Sequence, residues 1–322
     1  MNLFNKIEHF FIAPEKTQSG YSFMDVPDRI SFDDAEAILY GIPLDITTSF
    51  GKGTRSGPKV IRITSAKQIE TFLLDNNTEI YDKLKIFDLG DFILPDLKKK
   101  NLDEIFEKMS KEIAGINLQI RDNNKIPIVL GGEHTISYFT IKAIAKETPV
   151  ILHFDAHRDM KPTYDRMKLC HTTPFYHLIK NKIIKGSNLI QIGIRQADRE
   201  ENDIAKMNGV TTFDAWEIHN NFEEVKQNLR KITYIKKIYI SLDIDVYDIC
   251  YVPCTGTPEP FGLNPFQLVE IIDSINNNSK LVGLEIVEVA MKNEDYREGT
   301  LATQTIYGII SRLINKNNKN IK

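Results

Sequence analysis

Cysteine is scarce in this chain: Cys170, Cys250 and Cys254 are the only three in 322 residues, in neither a paired nor a zinc-type spacing. That excludes a disulfide framework and reads as free thiols in a reducing compartment. An excess of charge of one sign is also lacking. Forty-one Lys and Arg against forty-four Asp and Glu leave a net charge of -3, with no basic footprint for nucleic acid. No apolar run approaches the roughly 20 residues of a membrane span. The first sixteen residues, MNLFNKIEHFFIAPEK, have neither the cationic start nor the continuous apolar core of a signal peptide. The expectation is a cytoplasmic protein with no membrane or nucleic-acid partner. Repeats, low-complexity tracts and dividing linkers are absent too. The 42% hydrophobic and 26% charged content is that of a globular protein, here a single domain.

What is present alternates strand with helix. Short apolar runs read as eight strands: 37–42, 85–89, 126–130, the run Val150-Ile151-Leu152, 189–194, 210–213, 237–242 and 281–289. Pro58 opens one helix, Leu102 to Arg121 forms a long amphipathic one, and others are expected near 174–184, 222–232, 265–276 and 300–314. The pattern is a doubly wound α/β domain over residues 36–322, with its site at the carboxyl ends of the strands. Residues 1–35 form an extension without clear period, expected to pack on the body or on a neighbouring subunit, and the polar tail Asn315 to Lys322 is expected to fray. The loop from Asp45 to Pro58 is rich in Gly and Thr, but its G-K-G-T-R matches neither phosphate-binding motif.

Three strand ends carry the chemistry. The run Val150-Ile151-Leu152 leads into Asp155-Ala156-His157-Arg158-Asp159. On an extended backbone Asp155, His157 and Asp159 point the same way, where two carboxylates and an imidazole need a cation between them. Alone, D-x-H-x-D reads as a solvated loop. A second strand runs into Gly131-Gly132-Glu133-His134, whose paired glycines permit close backbone approach; Glu133 is placed either to orient an imidazole or to cap the next helix. The third stretch, Ile240-Ser241-Leu242-Asp243-Ile244-Asp245, again sets two acids two apart on an apolar strand. Together these supply His134, Asp155, His157, Asp159, Asp243 and Asp245, four carboxylates that two divalent ions would balance. Carboxylate and imidazole without thiolate favour Mn²⁺, with Co²⁺, Ni²⁺ or Zn²⁺ able to compete. Two ions about 3.5 Å apart can share a water and present hydroxide at neutral pH.

The motifs G-G-E-H-T, D-A-H-R-D, S-L-D-I-D followed by G-T-P, and G-L-E-I-V-E-V stand in the order of those of the ureohydrolases, the family of arginases and agmatinases. The chain resembles that family from about residue 38 to 312. The resemblance implies a three-layer α/β/α fold around an eight-stranded, mostly parallel sheet. It implies one Mn²⁺ on His134, Asp155, Asp159 and Asp243, and another on Asp155, His157, Asp243 and Asp245. It further implies that His171 shuttles protons, that Glu288 clamps the substrate guanidinium, and that a homo-oligomer, trimer or hexamer, forms. The implied reaction is hydroxide attack on the guanidinium carbon, releasing urea and an amine. Departures fall in the loops: Ile249 stands where a proline follows the aspartate, Thr172 and Phe261 where glycine is common, Cys254 where glycine or alanine is common, and Met291 where proline is common.

The Thr47–Pro58 loop and His171-Thr172-Thr173 look more like agmatinases than arginases, and the Ser-Gly-Asn segment that arginases use for the α-amino acid end is absent from 160–170. Agmatine, cleaved to putrescine and urea in polyamine biosynthesis, is therefore the expected substrate. Against it, Arg158, Lys161, Arg166 and Lys168 face only Asp165 after the metal motif. A basic rim there would repel a dication and welcome the carboxylate of 4-guanidinobutyrate or arginine, with Arg158 or Lys161 as its anchor. A catalytically silent oligomer partner would be expected to lack a ligand, and a single-zinc deacetylase of related fold would lack His134 and Glu288; neither is the case.

Overall fold

The structure, a computed structural model, describes residues 3–25, 30–97 and 101–314. The tail expected to fray lies outside these residues. Among the described residues eleven strands occur in chain order: β1 (Phe11–Ile12), β2 (Ala37–Ile42), β3 (Phe72–Leu73), β4 (Thr78–Glu79), β5 (Ile86–Phe92), β6 (Ile126–Gly131), β7 (Val150–Phe154), β8 (Leu189–Ile194), β9 (Thr211–Asp214), β10 (Lys237–Asp243) and β11 (Lys280–Val287). β3 and β4 form a small hairpin, and the other nine make one sheet in the order β1-β5-β2-β6-β11-β10-β7-β8-β9. All pairs are parallel except β1 with β5. The eight strands expected from apolar runs are the eight parallel ones. The ninth is two residues long and comes from the N-terminal extension, too short to show any period.

Side chains alternate between two helical layers. On β2, Ala37 and Leu39 join a core with the helices Gly57–Lys67, Phe222–Ile232, Pro265–Ser274 and Arg297–Leu313. Ile38, Tyr40 and Ile42 face the long helix Leu102–Asp122, through Phe106, Met109, Ile113 and Ile116. Farther along that second face, Ile151, Leu189 and Tyr239 pack under the helices Ser137–Ile144, Pro174–Lys180 and Arg199–Met207. Burial on both faces is why the central strands read as continuous apolar runs. The helices Ser137–Ile144 and Arg199–Met207 were not expected from periodicity.

A buried ion cluster ties the extension to the body. Arg62, with no exposed surface, pairs with Asp88 at 2.8 Å and Asp91 at 2.6 Å. Asp88 also accepts the Phe23 N–H at 2.8 Å. Burial alone would lower the Arg62 pKa, but the two carboxylates hold it above its ordinary range.

The chain leaves the sheet after β6 and returns three places along at β7, so β11 and β10 fill the gap later. The carboxyl ends of these four neighbours, β6, β11, β10 and β7, form the crevice in which an open α/β sheet places its ligand.

Candidate active site

Each sequence-marked stretch ends at that crevice. His134 starts a short turn after β6, reached through Gly132, where a Cβ would lie 1.9 Å from the Leu44 carbonyl oxygen. β7 stops at Phe154, so Asp155, His157 and Asp159 converge through a turn, with Asp159 at φ 52°, rather than by strand alternation. Likewise Asp243 closes β10 while Asp245 lies in the turn Ile244–Val246. Glu288 follows β11 at φ 60°. Left-handed backbone at two non-glycine residues is strain of the kind that collects at functional sites.

The six expected ligands meet. His134 Nδ1 lies 3.0 Å from Asp155 Oδ2, 3.0 Å from Asp159 Oδ2 and 3.3 Å from Asp243 Oδ2. His157 Nδ1 lies 3.0 Å from Asp245 Oδ2 and 3.5 Å from Asp155 Oδ1. Crowding has an electrostatic cost. Burial and then Asp155 push Asp159 up to about 7, and burial and then Asp245 and Asp155 hold Asp243 well above the carboxylate range. His134 Nδ1 is buried with no hydrogen bond despite the three carboxylate oxygens around it. A buried imidazole nitrogen without a hydrogen bond, facing three carboxylate oxygens, is an arrangement that suits a cation's coordination shell. The all-oxygen and imidazole donor set fits a pair of divalent ions.

His153 also stands close, its Nε2 at 2.8 Å from Asp155 Oδ2. Its partners make it a donor. Gln191 Nε2 donates to His153 Nδ1 at 3.2 Å, which leaves the imidazole proton on Nε2, pointing at Asp155. Burial pushes His153 down to about 4, so the ring is neutral. Arg158 supports this chain from behind: its Nη1 donates to Gln191 Oε1 at 2.6 Å and to Thr212 Oγ1 at 3.0 Å, and its Nε to Asn202 at 2.8 Å. Arg158, which the sequence offered as an anchor for a substrate carboxylate, therefore turns into the body. The signal for His153 and Gln191 was a polar residue inside an otherwise apolar strand.

Glu133 contacts no imidazole directly and its side chain does not cap the turn that follows it. It grips the Asp45–Pro58 loop, accepting from Ile46 N at 2.6 Å, Thr47 N at 2.7 Å and Thr47 Oγ1 at 2.6 Å. Thr47 Oγ1 in turn accepts the His171 backbone N–H at 3.0 Å, and Ser49 Oγ lies 3.1 Å from His171 Nε2. Burial, then the nearby imidazoles, push His171 down to about 4. Glu288 Oε1 accepts the His134 N–H at 2.7 Å, and burial, then Glu133, hold its carboxyl well above the usual range.

A pocket of about 260 Å³ opens over the cluster, lined by Asp159, Asp243, His157, His171 and Glu288 at its floor and by Lys161, Tyr164, Asp198 and Glu201 farther out. Lys161 is paired with Asp198, and with Glu201 at 3.2 Å. Of the basic side chains read from the sequence after the metal motif, Lys161 is thus the one at this pocket, and it is neutralised. Two of the loop departures use the amide that proline lacks: Met291 N donates to Ser56 Oγ at 2.9 Å and Ile249 N to the Glu259 carbonyl at 3.1 Å. Phe261 sits at φ 63°, where glycine is at ease, and packs on Trp216 with ring centres 5.2 Å apart.

The Arginase family matches residues 35–310 of the chain. The agmatinase of Bacillus anthracis is 36% identical over 281 residues, 86% of this chain and 90% of that one. Among solved structures, the proclavaminate amidino hydrolase of Streptomyces clavuligerus superposes with a TM-score of 0.80 at 26% identity, covering 94% of this chain and 99% of the other. The agmatine ureohydrolase of Thermoplasma volcanium gives 0.77 at 25% identity, covering 88% and 91%. The chain belongs to the arginase family and is a hydrolase acting on the C–N bonds of linear amidines.

Proposed function

We propose that the protein is an agmatinase, cleaving agmatine to urea and putrescine. The observation that carries this reading is the state of the outer pocket. Arg158 is committed to Gln191, and Lys161 is held between Asp198 and Glu201, so the two candidate carboxylate anchors are engaged elsewhere. One ammonium against two carboxylates leaves this wall net negative, which suits the free amine of a dication and disfavours an acid tail.

In this reading His134, Asp155, Asp159 and Asp243 hold one divalent ion and Asp155, His157, Asp243 and Asp245 the other, with Mn²⁺ favoured by the donor set. When bound, such a pair lowers the pKa of water and supplies hydroxide at neutral pH. The chain's own groups do the rest. Glu288, fixed through the His134 amide, receives the planar guanidinium at the pocket floor. His171, held by Thr47 and Ser49 beside that floor, carries a proton to the departing amine. Glu133 sets the loop that holds His171 in place.

The experiment is urea release by Mn²⁺-loaded protein with agmatine, arginine and 4-guanidinobutyrate in parallel. Turnover of agmatine well above the others is expected. A second reading, hydrolysis of an acid-tailed guanidino compound, is favoured by the Lys161 ammonium in the pocket wall. Turnover confined to an acid-tailed substrate, lost in Lys161→Met, would replace the first reading with the second.

A further inference from the structure

Behind His134, on the side away from the pocket, lies a run of buried polar groups that the proposed reaction does not use. His134 Nε2 is 3.1 Å from Ser241 Oγ, and Ser241 Oγ is 3.3 Å from Ser137 Oγ. Ser137 Oγ donates to Glu285 Oε1 at 2.6 Å. The other Glu285 oxygen accepts from Thr140 Oγ1 at 2.5 Å and Tyr239 Oη at 2.8 Å. Every member is buried, and Glu285 has no exposed surface. Such a carboxylate, with three hydroxyl donors and no cation partner among the described residues, is costly to keep unless the network has a use.

Proton counting gives the network a direction. A serine hydroxyl has one proton, and an ionised carboxylate only accepts. Ser137 gives its proton to Glu285, so toward Ser241 it offers only lone pairs. Ser241 completes the run by turning its own proton to Ser137, which places a hydrogen bond between the two oxygens 3.3 Å apart. That leaves Ser241 Oγ to accept from His134 Nε2–H. With the ring proton fixed on Nε2, the Nδ1 lone pair points at Asp155, Asp159 and Asp243, matching the absence of a hydrogen bond there. A negative charge at the far end also makes Nδ1 a stronger donor, as partners behind metal-bound imidazoles do.

We infer that Glu285 is a positioning residue which, through Ser137 and Ser241, locks the tautomer of His134 and raises the affinity of the inner of two divalent-cation sites. The inference rests on the reading of the cluster as a two-ion site, but not on the identity of the substrate. Among the described residues no buried hydroxyl relay backs His157, whose outer nitrogen faces Glu259 at 3.7 Å. The effect therefore falls on one ion of the pair.

The test is Mn²⁺ binding to metal-free protein, followed by the electron paramagnetic resonance signal of free Mn²⁺, with thermal melting alongside. Ser241→Ala cuts the relay next to His134, and Ser137→Ala cuts it farther out while leaving the His134–Ser241 contact intact. Both are expected to weaken one of two binding events by about 10–100-fold, the range for partners of metal ligands, and to leave the second event within a few-fold. Glu285→Gln is expected to do the same if it folds, and the serine variants stand without it. Wild-type-like binding in Ser137→Ala would overturn the role of Glu285, as would equal weakening of both events with a matching fall in melting temperature. A wild-type protein that binds no Mn²⁺ would overturn the relay together with the two-ion reading. Failure on agmatine with normal two-ion binding would leave the relay standing and remove only the substrate assignment.

Discussion

The two halves of the His/Asp cluster are built differently. The inner half, around His134, is sealed: the ring is 1% exposed, one nitrogen is wired to Ser241 and the other faces three carboxylates. The outer half, around His157, is open: that side chain is 23% exposed, lines the pocket, and leans on the partly exposed Glu259. Asp155 belongs to both, touching His134 through one oxygen and His157 through the other. The difference separates two jobs. A sealed, hydrogen-bonded ligand set holds an ion tightly, while an open one can adjust as substrate and product pass.

Substitutions can break or sharpen that contrast. The largest effect is expected from Asp155→Asn, which removes the shared ligand and collapses the distinction. Activity on agmatine should fall on the order of 10⁴-fold, about 5.4 kcal/mol of barrier at 1.36 kcal/mol per tenfold, and bound Mn²⁺ should drop by elemental analysis. His171→Ala should cost about 10²–10⁴-fold in kcat with metal content unchanged, because His171 touches the pocket but neither half. Arg158→Met loosens Gln191 and His153 behind Asp155, and about a tenfold loss in metal affinity is expected. Inhibition by 4-guanidinobutyrate should not change, and a weakening would restore Arg158 as its anchor. Glu259→Gln, removing a partly exposed partner of the outer imidazole, should alter kcat/KM by less than about fivefold.

Much of this was legible in the sequence because it is local. Eight parallel strands, the central six of them buried, leave eight short apolar runs, and His134, Asp155, His157, Asp159, Asp243 and Asp245 each announce themselves as polar groups at the end of one. The way they converge was not. Strand alternation was the expected device, whereas turns and a left-handed Asp159 do the work. The helix Arg199–Met207, REENDIAKM, has too few apolar residues to show a period, yet the Asp198 and Glu201 capping box was there as its start signal. That same pair neutralises Lys161 from 37 and 40 positions away. The setting of Arg158 was hidden for a related reason: its partners Gln191 and Thr212 lie on strands far along the chain, and no periodicity reports them. Glu285 is the clearest case. It sits inside an apolar strand rather than at the end of one, three residues before Glu288, on the face turned away from the pocket.

Calorimetric titration of Mn²⁺ into metal-free protein, repeated with His157→Asn, bears on all of this at once. Two ions per chain in two resolved steps are expected for the wild type, and His157→Asn should lose the weaker step while keeping the tighter one. A single ion per chain, or a His157→Asn protein that loses the tighter step, would contradict the division into a sealed inner site and an open outer one.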